Sequence, residues 1–135
     1  MSGSTIADET AIRNVMSSYE SALNASSTQA AMPLYAEDGV FMAPNNQSAV
    51  GKASVRQAYD AVFKAITLGV NFAIAELVVM SPQWAFVRTN STGTQKINAT
   101  GVTSAEANQE LFILKKGDDG QWRIARYSFS TTNPL

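Results

Sequence analysis

The hydrophobic pattern begins as a helix. Ile12, Val15, Met16, Tyr19, Ala22 and Leu23 recur at three- and four-residue steps, which puts them on one face of a helix starting near Asp8. Asp8 or Thr10 is placed to cap its start, and "NASS" (24–27) ends it. Residues 1–7 are small and polar and are expected to form a flexible N-terminus, with 8–135 as one domain. Ser27 or Thr28 starts a shorter helix running through Tyr35. Pro33, inside it, should kink it by removing a backbone donor. Val40 to Met42 reads as a short strand and 44–51 as a polar loop. Val55, Tyr59, Val62, Phe63 and Ile66 then mark the face of a third helix.

Beyond that point the period shortens to two. "VNFAIAELVVM" (70–80), "WAFVRTNSTG" (84–93), "AEANQELFILKK" (105–116) and "QWRIARYSFSTT" (121–132) read as four strands, with "GDDG" (117–120) as a hairpin turn. Three helices followed by an antiparallel meander imply an α+β architecture, with the helices packed on one face of a strongly curved, mostly antiparallel sheet. Such a cone is too wide at its mouth to be filled by side chains, so a pocket is expected. Tyr35, Phe41, Met42, Tyr59, Phe63, Phe72 and Trp84 are its candidate wall or core, and Asn45 and Asn46 its candidate rim.

Polar residues interrupt the late strands at alternate positions: Arg88 and Asn90, then Glu106, Asn108 and Glu110, then Arg126, Ser128 and Ser130. Within each strand these share a face. If those faces line the pocket, Arg88 and Glu110 form a pair ready for a carboxylate, carbonyl or hydroxyl, since a buried arginine needs a partner. If they look outward, Val87, Leu111, Ile113, Tyr127 and Phe129 on the opposite parity are apolar enough to make the core.

Composition narrows the chemistry. The net charge is −1 and the ten basic residues are scattered, which gives no phosphate-tracking stripe and no nucleic-acid partner. No apolar run approaches a membrane span and no basic, apolar leader opens the chain, so a cytoplasmic protein without a membrane partner is expected. The sequence has no cysteine and no histidine. That removes thiol nucleophiles, Ser-His catalysis and zinc sites built on thiolate or imidazole. It also has no Gly-rich nucleotide motif and no clustered acidic loop. No cofactor and no metal are expected, and acid–base work falls to Asp, Glu, Tyr, Lys or Arg.

"VMSSYESALNASSTQAAMPLYAEDGVFMAP", "AVGKASVRQAYDAVF" and "ANQELFILKKGDDGQWRIARYSFS" resemble the NTF2-like superfamily in its SnoaL-like or DUF4440 branch, and most of all its SgcJ/EcaC-like group. The resemblance covers roughly residues 8 to 132 and implies an NTF2-like cone and a homodimer. It does not imply one activity, because this fold hosts isomerases, hydrolases, dehydratases and association domains. Laid on ketosteroid isomerase, Tyr19 falls on the oxyanion-binding tyrosine and Glu110 on the protonated acid. The base position is Ala43, which cannot take a proton. Laid on limonene epoxide hydrolase, the catalytic positions become Arg88, Asn90 and Arg126, which removes both carboxylates. The resemblance therefore implies a small-molecule-binding protein without the usual base. As an enzyme it would act on a carbonyl- or hydroxyl-bearing substrate, with Tyr19, Glu110 and Arg88 as the catalytic set. Tyr35, Phe41, Met42, Tyr59, Phe63, Asn90, Asn108 and Arg126 would then contact the ligand. The alternative is a non-catalytic association module similar to kinase association domains.

Overall fold

The computed structural model describes residues 2–133. Helix α1 (Ser2–Asn24) leads through α2 (Thr28–Ala31) and a 3-10 turn (Met32–Leu34) into strand β1 (Tyr35–Met42). A two-residue strand β2 (Ala49–Val50), helix α3 (Lys52–Ala65) and four long strands follow: β3 (Ile66–Val79), β4 (Trp84–Ile97), β5 (Thr103–Lys116) and β6 (Trp122–Thr131). All six strands make one sheet in the order β2-β1-β6-β5-β4-β3. The pairs β3–β4, β4–β5 and β5–β6 are antiparallel, while β1 runs parallel to β6. The fold is α+β, with helices against the inner face of a curved mixed sheet, as the NTF2-like resemblance implies.

Several boundaries differ from the sequence reading. Helix α1 starts at Ser2 rather than near Asp8. Residues 32–34 wind into a 3-10 turn around Pro33, and the strand begins at Tyr35, where the sequence suggested helix. Ser27 caps α2 through its hydroxyl, which accepts the Ala30 N–H at 3.0 Å. The "GDDG" turn closes as expected: Gly120 takes φ +80°, and the Gly117 N–H donates to the Gln121 carbonyl at 2.8 Å.

Two devices of α1 fix the helix layer to the sheet. The first covers the free edge of β3. The Asn24 side chain both accepts from Val70 N–H and donates to Val70 C=O at 2.8 Å, and Glu20 accepts from Phe72 N–H at 2.7 Å. These contacts satisfy backbone groups that an edge strand otherwise leaves open. The second is Asp8, a buried carboxyl that accepts from Trp122 Nε1 at 3.0 Å and Lys116 Nζ at 3.2 Å. It locks the first turns of α1 to the start of β6.

Two β-bulges set which residues face inward. Between β5 and β6, Leu114 pairs with Ile124 but Ile113 pairs with Arg126, so Ala125 is an extra residue. Trp122 and Ile124 point inward before the bulge; Tyr127 and Phe129 do so after it. A second bulge at Ala75 lies between the pairs Ile74–Thr89 and Glu76–Arg88. Each extra residue bends its strand and reverses the side-chain alternation beyond it.

Candidate functional site

The inner face of the sheet and the two long helices enclose a cavity of about 160 Å³. Its walls are largely aromatic. Tyr19 comes from α1, Phe41 from β1, Tyr59 from α3, Phe72 from β3, and Tyr127 and Phe129 from β6. Leu68, Val70, Ile66 and Leu23 complete the apolar part, and Ser91, Gln95, Glu106, Asn108 and Glu110 form a polar strip along β4 and β5. A larger open groove of about 500 Å³ lies elsewhere, between Glu37, Asp38 and Asp118 and the cations Lys52, Lys115, Lys116 and Arg123. Its opposite charges offset one another, and of the four tyrosines of the chain it touches only Tyr35.

All four tyrosines of the chain meet in one buried cluster. The Tyr59 hydroxyl lies 2.5 Å from that of Tyr19 and 2.7 Å from that of Tyr35, and the Tyr127 ring meets that of Tyr19 edge to face, centroids 5.6 Å apart. Burial raises the pKa of all four, so their hydroxyls remain protonated. The rings are equally ordered. Tyr127 stacks on Phe112 with centroids 4.1 Å apart, and Phe41 lies nearly parallel to both Tyr59 and Tyr127.

Glu110 is the chemically unusual member of the wall. It sits on β5 directly opposite Thr89 and is only 3% exposed. Thr89 Oγ1 donates to one of its oxygens at 2.6 Å and Ser91 Oγ to the other at 2.5 Å. Burial raises its pKa, the two hydroxyls pull it partly back, and the charge of Glu106 raises it again. When Glu110 is protonated, each oxygen already has a donor, so its own O–H is left for a third partner. Glu106, half-buried, shares the same face of β5 and accepts from the Asn108 amide.

The pH dependence follows from the raised pKa. Below the ordinary carboxyl value of 4.5, folded and unfolded chains both hold the proton, and the contribution of Glu110 to stability is fully present. Above it the unfolded chain releases its proton first, so stability falls as pH rises through the folded pKa. Urea unfolding across this range should therefore show the wild type losing stability relative to Glu110→Gln as pH increases. A constant difference would mean that the carboxyl is solvated.

The structure divides the residues singled out from the sequence. Tyr19, Phe41, Tyr59, Asn108 and Glu110 line the cavity. Tyr35 is buried behind it, reaching it through Tyr59. Phe63 packs on the far side of Tyr59 with centroids 5.8 Å apart, and Met42 is half-buried; neither lines the cavity. Arg88 faces the outer side of the sheet, half exposed, and its Nε pairs with Glu76 at 2.9 Å. The expected Arg88–Glu110 pair therefore does not form: Thr89, not Arg88, has the inward parity. Asn90 is on the same outer face. Arg126 is turned out by the Ala125 bulge, and its Nη1 donates to the carbonyls of Ala125 at 2.6 Å and Asp38 at 3.1 Å. Thr89 and Ser91 were not singled out. They continue the buried run Ala85, Val87, Thr89, Ser91, but Trp84, Phe86, Arg88 and Asn90 on the other parity show the same change from apolar to polar, so the sequence alone carries no signal that separates them. Among the described residues no group of acidic side chains could hold a metal ion, and no helix is long and apolar enough to cross a membrane.

This geometry coincides with a known family. The model of the SnoaL-like domain matches residues 15–127, and the chain belongs to that family within the NTF2-like fold. A ketosteroid isomerase-like protein from Erwinia carotovora atroseptica is 38% identical; the match covers 93% of this chain and 96% of that one, with a TM-score of 0.89. A conserved protein from Planctomyces limnophilus is 23% identical over 93% and 98% of the two chains, with a TM-score of 0.80. An NTF2-like protein with a cystatin-like fold from Novosphingobium aromaticivorans is 17% identical over 97% and 86%, with a TM-score of 0.74. The last two share the fold alone. No match was found among curated proteins.

Proposed function

We propose that this chain binds a small carbonyl- or hydroxyl-bearing compound in the inner cavity and promotes proton transfer next to its oxygen. The observation that carries the reading is Glu110, a carboxyl buried in the cavity wall between the Thr89 and Ser91 hydroxyls, in the same wall as Tyr19. Two such donors stabilise the negative charge that grows on a carbonyl oxygen when a neighbouring carbon loses a proton. The family's usual base position is Ala43. Glu106 is the other carboxyl of the wall, and in this reading it accepts the proton. Burial separates the two groups: Glu110 is pushed toward its neutral form, and Glu106 lies at a wetter position on the same strand. The likeness to a ketosteroid isomerase-like protein supports this class of chemistry. An association module with a filled cone is the less favoured reading, because the cone holds an open cavity with a carboxyl in its wall.

A homodimer belongs to the same reading. Val78, Trp84 and Leu111 are exposed large apolar side chains on the outer sheet face, where a second copy would cover them. Sedimentation at micromolar concentration should give a dimer mass.

The direct test is hydrogen exchange at the methyl group of acetophenone in heavy water, followed by proton NMR. The protein should accelerate exchange. Glu106→Gln should lose about a hundredfold of that acceleration while still binding. Tyr19→Phe and Glu110→Leu should each lose about a hundredfold or more, whereas Glu110→Gln, which keeps an N–H donor, should retain part of it. Exchange at the buffer rate with the wild type would refute the proton-transfer reading.

A further inference from the structure

We infer that the cavity is built for a neutral, single-ring compound carrying one oxygen function, and that it rejects both anions and fused-ring compounds of steroid size. This rests on the proposed role of the inner cavity but narrows what enters it.

Size is the first constraint. The volume is about 160 Å³. Pockets for drug-sized ligands occupy roughly 300–1,000 Å³, whereas a cavity of about 150 Å³ is enough for benzene. One ring with a short substituent fits; four fused rings do not. The space is limited by the aromatic side chains themselves: Phe41, Phe72, Tyr127 and Phe129 from the sheet and Tyr19 and Tyr59 from the helices.

Shape is the second constraint. Phe41, Tyr127 and Phe129 lie near parallel, with interplanar angles of 13°, 18° and 22° and centroids 5.6 to 6.1 Å apart. They form an offset-stacked aromatic cluster, which a planar ring can extend. Tyr19 and Phe72 meet each other edge to face, 5.9 Å apart, and bound the space with a different orientation.

Charge is the third. No lysine or arginine lines the cavity, and two carboxyls do. Arg88, the cation expected to hold an anionic group, is spent on Glu76 outside. An anionic ligand would be desolvated with no counter-charge and with Glu106 and Glu110 nearby, a costly arrangement. A ketone or alcohol oxygen, by contrast, brings no charge into the cavity and finds Tyr19 and the Glu110 carboxyl in its wall.

Ligand-observed saturation-transfer NMR on the full chain tests this with acetophenone, benzoate, acetonaphthone and testosterone, each also run on Glu110→Leu. Acetophenone should bind, at least about tenfold more tightly than benzoate or testosterone, and Glu110→Leu should abolish its signal. Phe129→Ala, or Phe72→Ala should the first not fold, should admit acetonaphthone. Testosterone or benzoate binding as tightly as acetophenone, in a manner lost in Glu110→Leu, would overturn the inference while leaving the site reading intact. Acetophenone binding that survives Glu110→Leu unchanged would overturn the site reading instead. Silence from the whole panel would overturn both.

Discussion

Replacing Phe112 by alanine should cost about 3–5 kcal/mol of stability, the usual range for removing a fully buried aromatic ring. Phe112 is 0% exposed. It stacks on Tyr127 at 4.1 Å with an interplanar angle of 6°, and meets Tyr19 edge-on at 5.4 Å. It lies two residues from Glu110 on the inner face of β5. The ring is thus core packed against Tyr19 and Tyr127, two residues of the cavity wall, and its loss would loosen that wall. Thermal unfolding should fall by roughly 10 °C or more, and ketone binding should be lost with it. A cost below about 1 kcal/mol would show that the side chain is not buried as described.

Tyr59→Phe should cost about 2 kcal/mol by a different route. The ring stays, so its stacking on Phe41 at 4.7 Å is kept. What goes is the hydroxyl that joins Tyr19 and Tyr35. Both neighbours are nearly inaccessible to water, and a stranded buried hydroxyl costs roughly 1–3 kcal/mol. Tyr59→Leu should cost more, because it removes the ring as well. Denaturant titration of the two variants separates the contributions: an unchanged stability in Tyr59→Phe would mean that the hydroxyl network contributes nothing.

Long periodic segments made the architecture readable, and irregular ones hid the site. The apolar stripe of α1 and the alternation of β3 to β6 have enough turns or pleats to declare their period. The first residues of β1 do not, because Tyr35–Gly39 combines an aromatic, two acids and a glycine, and its pairing with β6 shifts register between Tyr35 and Val40. The two residues of β2 carry no period at all.

Inward and outward faces were harder still. Both parities of β4 and β6 contain apolar residues, so a parity argument has two solutions. On β6 the single extra residue Ala125 means that neither parity holds along the whole strand. This is why Trp122 and Arg126, two pleats apart, face opposite sides. On β5 both parities are apolar as well, and Glu110 was singled out by the likeness to ketosteroid isomerase; the structure puts it on the inner face with Asn108, Phe112 and Leu114. Arg88 was misplaced because its neighbour across the sheet is not Glu110's neighbour: Glu110 faces Thr89, and Arg88 faces Leu111. The tyrosine cluster lies beyond any linear reading, since its members come from α1, β1, α3 and β6 and meet only when the cone closes.

The central claim is that Glu110 is a buried, ligand-facing acid, and a pH titration of its side-chain carboxyl carbon by carbon-13 NMR tests it most directly. The account predicts a midpoint clearly above the ordinary carboxyl value of 4.5 and a resonance that moves when acetophenone is added at neutral pH. A carboxyl that titrates at the ordinary value and ignores the ketone would contradict it.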